Sequence, residues 1–92
     1  MIERRALRHA LVTGIAECEG YTLDEVEAAV ASAGGDDAYE LDSKQAEWVV
    51  AHVEYLLGVD KPLPKPVDLD RDQFATLAAL LDAISHALNA HT

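Results

Sequence analysis

The sequence predicts an all-α fold, a small bundle of three main helices with short helices in the connections. Half of the 92 residues are apolar, only 5% are aromatic, and alanine and leucine are the most frequent apolar types. These residues favour helices, whereas β-branched and aromatic residues favour sheets. Apolar residues recur at helical spacing in segments that Gly and Pro separate. The length predicts a single domain, residues 1–92 with a core at about 3–88.

Two helices are predicted in the first part of the chain, at residues 3–17 and 22–33. The apolar stripe of the first consists of Leu7, Leu11 and Ile15. The second begins with Thr22 and has Glu25 three residues later, which is the pattern of a capping box. Glycines follow this helix, so residues 34–41 are predicted to form a loop.

The third predicted helix is the most regular and runs to about residue 57. Asp42 is its predicted N-cap, and Gln45 stands at the reciprocal position of a second capping box. Gly58 ends it. Its predicted apolar stripe consists of Ala46, Val49, Val50, Val53, Leu56 and Leu57.

A proline-containing connector and a final helix complete the fold. Residues 58–69 contain three prolines at alternate positions, which predict an extended path without helix. Leu63 and Val67 are predicted to anchor this path to the core. Asp70 begins a capping pattern, Asp70-Arg71-Asp72-Gln73, for a short turn. Thr76 is the predicted cap of the last helix. The apolar stripe of that helix consists of Leu77, Leu81, Ile84 and Leu88.

The charge of the chain limits its partners. The formal net charge is −10, which argues against binding to nucleic acid and to anionic membrane surfaces, since both need a basic face. It favours partners that present lysine and arginine. The chain has one cysteine and neither a secretory signal nor an apolar run of membrane-spanning length. The predicted location is therefore the cytoplasm.

Two interpretations of Ser43 are open from the residues alone. In the first, Ser43 only fills the first turn of a helix that Asp42 caps. In the second, it is a point of covalent attachment, and another protein activates it because no histidine or lysine pattern beside it supplies a base. The four histidines show no paired ligand spacing and no Cys-x-x-Cys is present, so no metal site is predicted.

The order of the elements and several short motifs resemble the acyl carrier proteins. An amphipathic helix and an acidic loop lead into a helix that starts after Asp-Ser, and a proline-containing connector leads to the last helix. The resemblance is strongest from about Tyr39 to Ile84. The segments similar to family motifs are Leu41-Asp42-Ser43, Glu54, Leu57-Gly58-Val59, Leu63-Pro64 and Phe74-Ala75-Thr76-Leu77.

The resemblance implies a function for Ser43. In the family, this serine receives a 4′-phosphopantetheine arm from coenzyme A, and Asp42 is its motif neighbour. The arm carries an acyl group as a thioester, and the carrier itself is not an enzyme. The implied partners are a phosphopantetheinyl transferase and acyl-loading and synthase enzymes with basic docking surfaces. A carrier that docks to several enzymes in turn is expected to be a monomer.

Three positions depart from the usual family pattern. Glu40 stands where the family usually has glycine, and Lys44 follows the serine in place of leucine. Trp48 stands where many members have glutamate. These departures favour a discrete carrier in a specialised pathway, such as polyketide biosynthesis, over a housekeeping carrier of fatty-acid synthesis.

The helix after Ser43 is the predicted partner surface. Glu47 and Glu54 share one face with Lys44 at its start, and Trp48 and Tyr55 lie on the adjacent face. The aromatic residues are either interface anchors within an acidic rim or ordinary packing at the edge of the bundle. Two other functions stay open, a peptidyl or aminoacyl carrier of a nonribosomal peptide pathway and an acidic helical interaction module without an arm.

Overall fold

A computed structural model describes residues 3–59 and 62–89 of the chain. The prediction of an all-α fold is confirmed, since these residues form helices and no β-strand. The α-helices among them are α1 (Arg4–Glu19), α2 (Leu23–Ala33), α3 (Ser43–Leu57) and α4 (Leu77–Asn89), and the 3₁₀ helices are Pro66–Asp68 and Arg71–Gln73. No helix in these two ranges is long and apolar enough to cross a membrane.

The helices begin and end close to the predicted residues because their signals are local. α1 runs two residues beyond its predicted end and stops where Gly20 adopts a left-handed backbone with φ 74°. α3 stops in the same way at Gly58, which has φ 60° and donates its N–H to the carbonyl oxygen of Glu54 at 3.0 Å. Glycine adopts this conformation without the steric cost that a Cβ brings.

The core lies around α1, which packs most extensively against α3 and also contacts α2 and α4. The predicted stripe of α1 is confirmed, because Leu7, Leu11 and Ile15 are fully buried. The α3 stripe is confirmed except at its end, where Leu56 is 45% exposed. The buried residues of α3 are Ala46, Val49, Val50 and Val53, and those of α4 are Leu77, Leu80, Leu81 and Ile84.

A glycine allows α1 and α3 to approach closely. Gly14 is buried in the middle of α1. A Cβ at this position would lie 3.3 Å from Cγ1 of Val49 and 3.5 Å from Cδ2 of His52, both on α3. Because the first distance is tighter than ordinary van der Waals contact, the absence of a side chain lets the two helices pack at this point.

α2 is attached by two buried valines and by an ionic cluster that the sequence did not predict. Arg8 of α1 donates two hydrogen bonds to the carboxylate of Glu27, both at 2.8 Å, and two to Asp36 at 2.8 and 2.9 Å. Hydrogen bonds from Arg8 hold the pKa values of both carboxyls below their usual range. α2 itself buries only Val26 and Val30, and the charge-assisted bonds of this cluster add to that apolar contact.

The connector after α3 corrects two predictions. Pro66 opens a 3₁₀ helix where an extended path was predicted, since proline at a first helical position loses no hydrogen bond and has a suitable φ. Leu63 is 4% exposed and anchors the connector as predicted, but Val67 is 90% exposed. The turn at Pro66 leaves Val67 outside the core. Two residues of this predicted connector, Asp60 and Lys61, lie outside the described residues.

α4 begins at the predicted cap. The hydroxyl oxygen of Thr76 accepts the N–H of Ala79 at 3.2 Å. The preceding turn is also confirmed, because the Gln73 side chain accepts the N–H of Asp70 and the N–H of Gln73 donates to the carbonyl oxygen of Asp70, both at 2.9 Å. Leu88, the last residue of the predicted stripe, is partly buried and packs against the core.

Candidate functional site

Ser43 is the first residue of α3, and the preceding residue, Asp42, is the N-cap of the helix. The carboxylate of Asp42 accepts the N–H of Gln45 at 2.7 Å, and the side chain of Gln45 accepts the N–H of Asp42 at 3.2 Å. The predicted capping box is therefore confirmed. The Ser43 side chain is exposed and makes no hydrogen bond with any residue in the described part of the chain. Its hydroxyl has no role in holding the helix.

The segment that leads into Ser43 is fixed by backbone pairing with the start of α4. The N–H of Leu41 donates to the carbonyl oxygen of Ala75 at 2.7 Å, and the N–H of Leu77 donates to that of Tyr39 at 3.0 Å. Glu40 and Thr76 form an isolated antiparallel bridge between these two bonds. Leu41 is 2% exposed, so the residue two before Ser43 is anchored in the core.

A side-chain bond fixes the first turn of α3 from the other side. The amide nitrogen of Gln45 donates to the carboxylate of Glu19 at 2.7 Å, and Glu19 is the last residue of α1. One glutamine thus takes part in the capping box and ties the start of α3 to the end of α1. The backbone on both sides of Ser43 is therefore held in place, by contacts with the end of α1 and the start of α4.

The surroundings of Ser43 are acidic. Burial raises the pKa of the Cys18 thiol, and the nearby carboxylates of Glu19 and Asp42 raise it further. Burial, with contributions from Glu19 and Tyr21, likewise raises the pKa of Tyr39. Cys18 therefore stays a thiol near neutral pH and is a poor nucleophile. The negative field favours the approach of a partner that carries basic residues.

No hydrogen bond joins the Ser43 hydroxyl to a base among the described residues. Activation of a serine requires a base within hydrogen-bond distance. The Ser43 hydroxyl has no such contact with residues 3–59 and 62–89. In those same ranges, no group of three or more His, Cys, Asp and Glu side chains could hold a metal ion. The described residues place no base beside the Ser43 hydroxyl.

Beyond Ser43, α3 presents a mixed acidic and aromatic surface. Lys44, Glu47 and Trp48 are exposed, and Tyr55 is 82% exposed. The Trp48 ring stacks on His52, with ring centroids 5.3 Å apart and an angle of 14° between the planes. Trp48 is 43% exposed, so it both packs against its own helix and offers a face to solvent.

Glu54 has an internal role that the sequence did not predict. Its carboxylate accepts the N–H of Leu63 at 2.7 Å and the ammonium group of Lys65 at 3.1 and 3.2 Å. The Glu54 side chain is only 23% exposed. It holds the connector against the second half of α3. On the predicted acidic face, Glu47 is the carboxylate that stays exposed.

Two supporting features of the site were missed at the sequence level. The pairing of residues 39–41 with 75–77 has a weak signal, because Tyr39 and Leu41 alternate with the polar Glu40 in the pattern of an extended segment. The bond between Gln45 and Glu19 joins residues 26 positions apart. No local pattern indicates such a contact.

Comparisons of the chain with protein-family models, with curated proteins and with solved structures found no match.

Proposed function

We propose that this chain is an acyl carrier protein whose Ser43 bears a 4′-phosphopantetheine arm, with the acyl intermediate bound to the arm as a thioester. One observation carries the proposal: the Ser43 hydroxyl is exposed and has no hydrogen bond within the described residues, while the adjacent Asp42 supplies the cap. Serine is a preferred N-cap residue, but Ser43 lies one position after the N-cap of α3. Here the capping is complete without it, so a substituent on Ser43 breaks no bond of the fold.

The helix dipole at Ser43 favours a phosphate group there and acts against the negative field of Glu19 and Asp42. The residue stands at the N-terminus of the 15-residue helix α3, where the helix dipole stabilises a negative group by roughly 0.3–1 kcal/mol at an exposed position. Pairing of Leu41 with Ala75 fixes the backbone just before it. When bound, the arm supplies a thiol for thioester chemistry and a flexible tether that raises the local concentration of the cargo.

The attachment step needs a second protein. The Ser43 oxygen attacks the phosphorus of coenzyme A that bears the pantetheine, an O–P bond forms, and adenosine 3′,5′-bisphosphate leaves. A base of the phosphopantetheinyl transferase takes the hydroxyl proton, and Mg²⁺ bound by that enzyme neutralises the pyrophosphate. The carrier contributes the exposed hydroxyl and its position. It catalyses no step of its own.

The partners of this carrier present basic surfaces. The net charge of −10 steers such partners to the protein. Glu47 offers an exposed carboxylate on α3, and Trp48 and Tyr55 offer exposed aromatic area beside it. Acyl-loading and synthase enzymes of polyketide or other specialised-metabolite biosynthesis fit this proposal, since Lys44 and Trp48 depart from the pattern of fatty-acid carriers. We also propose that the protein is a monomer in the cytoplasm, so that its surface is free to bind successive enzymes.

The test is the mass of the intact protein after incubation with coenzyme A, Mg²⁺ and a broad-specificity phosphopantetheinyl transferase. We expect a gain of one phosphopantetheinyl group, and no gain for Ser43→Ala. Ser32→Ala is the matched control, because Ser32 is also an exposed helical serine, and it should be modified as fully as the unaltered protein. If a folded sample gains no mass with several transferases, the carrier function is wrong and the acidic interaction module becomes the better account.

A further inference from the structure

A groove on the side of the connector and α4 has no part in the proposed attachment reaction. Its volume is about 700 Å³, within the range of clefts that bind ligands or peptide side chains. Leu63 and Leu69 of the connector form its apolar floor with Ala79, Ala83 and Ala87 of α4. The three alanines follow one another every four residues, so they share the face of α4 that lines the groove.

Exposed aspartates surround this floor. Asp68, Asp72 and Asp82 line the groove and are exposed, whereas the floor residues are buried or half-buried; these three aspartates are called the acidic rim. Asp82 pairs with Arg4 at 2.6 Å, but both side chains are more than half exposed, so this ion pair is weak and exchangeable. Neither Asp68 nor Asp72 has a Lys or Arg partner among the described residues.

The shape and the charge of the groove limit its occupant. None of the described residues that line it is a lysine or an arginine. A second copy of the chain would bring a net charge of −10 to an acidic surface, and like charges at close range oppose such contact. The groove is open to solvent along one side, which suits a polypeptide segment better than an enclosed small molecule.

We propose that this groove binds an amphipathic segment of a partner protein that places leucine-like side chains on the floor and lysine or arginine beside the acidic rim. Burial of apolar side chains on the floor supplies the attraction, and the aspartates of the acidic rim select for a basic segment. The carboxylate of Glu54 fixes one wall of the groove, because it accepts hydrogen bonds from the Leu63 N–H and the Lys65 ammonium group.

The groove is separate from Ser43, since none of the residues that line it belongs to α3. Glu54 is 11 residues after Ser43 in α3, which corresponds to about 16 Å along a helix. No residue from 3 to 59 lines the groove. A partner held there can keep the protein in place while Ser43 faces another active site. Binding of a segment in the groove does not require modification of Ser43. Its test is therefore independent of the test of the proposed function.

The test uses a synthetic peptide made of two repeats of Leu-Lys-Lys-Leu-Leu-Lys-Leu and maps its binding by amide chemical shifts in NMR. We expect the shift changes to concentrate at residues 62–73 and 79–87. A peptide of equal charge with every leucine replaced by serine should bind at least about tenfold more weakly, because it lacks the apolar contacts. Binding that maps to α3 or spreads over the whole acidic surface would overturn the proposal, as would no binding.

Matched variants test the acidic rim. The double variant Asp68→Asn, Asp72→Asn removes two rim charges, and asparagine keeps a side-chain oxygen for the bond that Asp68 accepts from the Lys65 N–H. Glu17→Gln, Asp37→Asn removes two exposed charges outside the groove. We expect the rim variant to bind the peptide about fivefold more weakly than the unaltered protein does. The variant outside the groove should bind it less than about twofold more weakly.

Two further outcomes would contradict this inference. Equal weakening by both double variants would mean that the peptide responds only to the overall charge. If octylamine shifts the groove signals and the peptide does not, the groove is a site for small apolar amines and not for a polypeptide. Circular dichroism of each variant shows that it is folded before binding is measured.

Discussion

α2 and α3 begin with the same capping pattern, but the hydroxyl at each start has a different role. At α2, the Thr22 hydroxyl oxygen accepts the N–H of Glu25 at 3.2 Å. At α3, the carboxylate of Asp42 does this for Gln45 at 2.7 Å, and the Ser43 hydroxyl has no hydrogen bond with the described residues. Thr22 is itself the N-cap of α2, whereas Ser43 follows the N-cap of α3, so Asp42 caps that helix without the Ser43 hydroxyl.

The two helices also differ in how they are held. α3 buries four side chains and contacts α1 closely at Gly14. α2 buries only two, and the bonds from Arg8 to Glu27 and Asp36 connect it and the following loop to α1. Ionic contacts therefore have a larger share in the attachment of α2 than in that of α3, which rests chiefly on apolar packing. This difference predicts different responses to mutation and to pH.

The largest effect is expected for Arg8→Gln. The substitution removes the ionic contacts of α2 and leaves the Glu27 and Asp36 carboxylates without their cation, which we expect to lower the free energy of unfolding by about 2 kcal/mol near neutral pH. Urea unfolding followed by circular dichroism measures it. Arg4→Gln on the same helix is the matched control. It should cost less than about 0.5 kcal/mol, because the Arg4–Asp82 pair is mostly exposed.

The effect of Arg8→Gln should depend on pH. Arg8 lowers the pKa values of Glu27 and Asp36 in the folded protein. This stabilisation is fully present above the unfolded-state values of about 4 and is lost as the pH falls through the lower folded-state values. The stability difference between the unaltered protein and the variant should therefore shrink as the pH falls below about 4. A difference that stays constant down to about pH 2 would show that Arg8 acts by packing and not by charge.

A smaller loss is expected for Asp42→Ala. It removes the carboxylate that caps α3 and breaks the capping box through which Gln45 is oriented toward Glu19. We expect a loss of about 1.5 kcal/mol in the free energy of unfolding, measured by the same urea titration. Asp42→Asn, which keeps an oxygen acceptor, should restore most of it. If Asn and Ala are equally destabilising, the charge of Asp42 matters more than its hydrogen bond.

Thr22→Ala tests the hydroxyl that does serve as a cap. Loss of its bond to the Glu25 N–H should lower the free energy of unfolding by about 1 kcal/mol. Thr22→Ser keeps the hydroxyl and should be close to the unaltered protein. An alanine variant as stable as the serine variant would remove the distinction between the two helix starts.

The smallest effect is expected for Ser43→Ala. The hydroxyl makes no bond with the described residues, and alanine is a slightly better helix former than serine. The free energy of unfolding should change by less than about 0.5 kcal/mol, in either direction. A loss as large as that of Thr22→Ala would show that the Ser43 hydroxyl supports the helix, which would weaken the central argument for attachment.

The sequence predicted what depends on local patterns. Capping boxes need only residues three positions apart, so the starts of α2 and α3 were predicted together with the roles of Thr22 and Asp42. The apolar stripe of α1 was predicted because its spacing fixes one buried face. The position of Ser43, just after the cap, follows from the same local rule.

The contacts that join distant segments were not predicted. Arg8 binds residues 19 and 28 positions away, and among several acidic residues no local signal selects its partners. Glu54 was interpreted as a partner residue because the sequence does not show that the connector returns to it. Val67 was assigned to the core because it is apolar, but the turn that starts at Pro66 leaves it exposed.

The most direct measurement is to locate the modified residue by tandem mass spectrometry after incubation with coenzyme A, Mg²⁺ and a phosphopantetheinyl transferase. Thr22 and Thr76 are internal controls, because their hydroxyls accept hydrogen bonds from helix N–H groups. We expect a phosphopantetheinyl group on Ser43 and on no other hydroxyl. Modification of a different residue, or of none in a folded sample tested with several transferases, would contradict it.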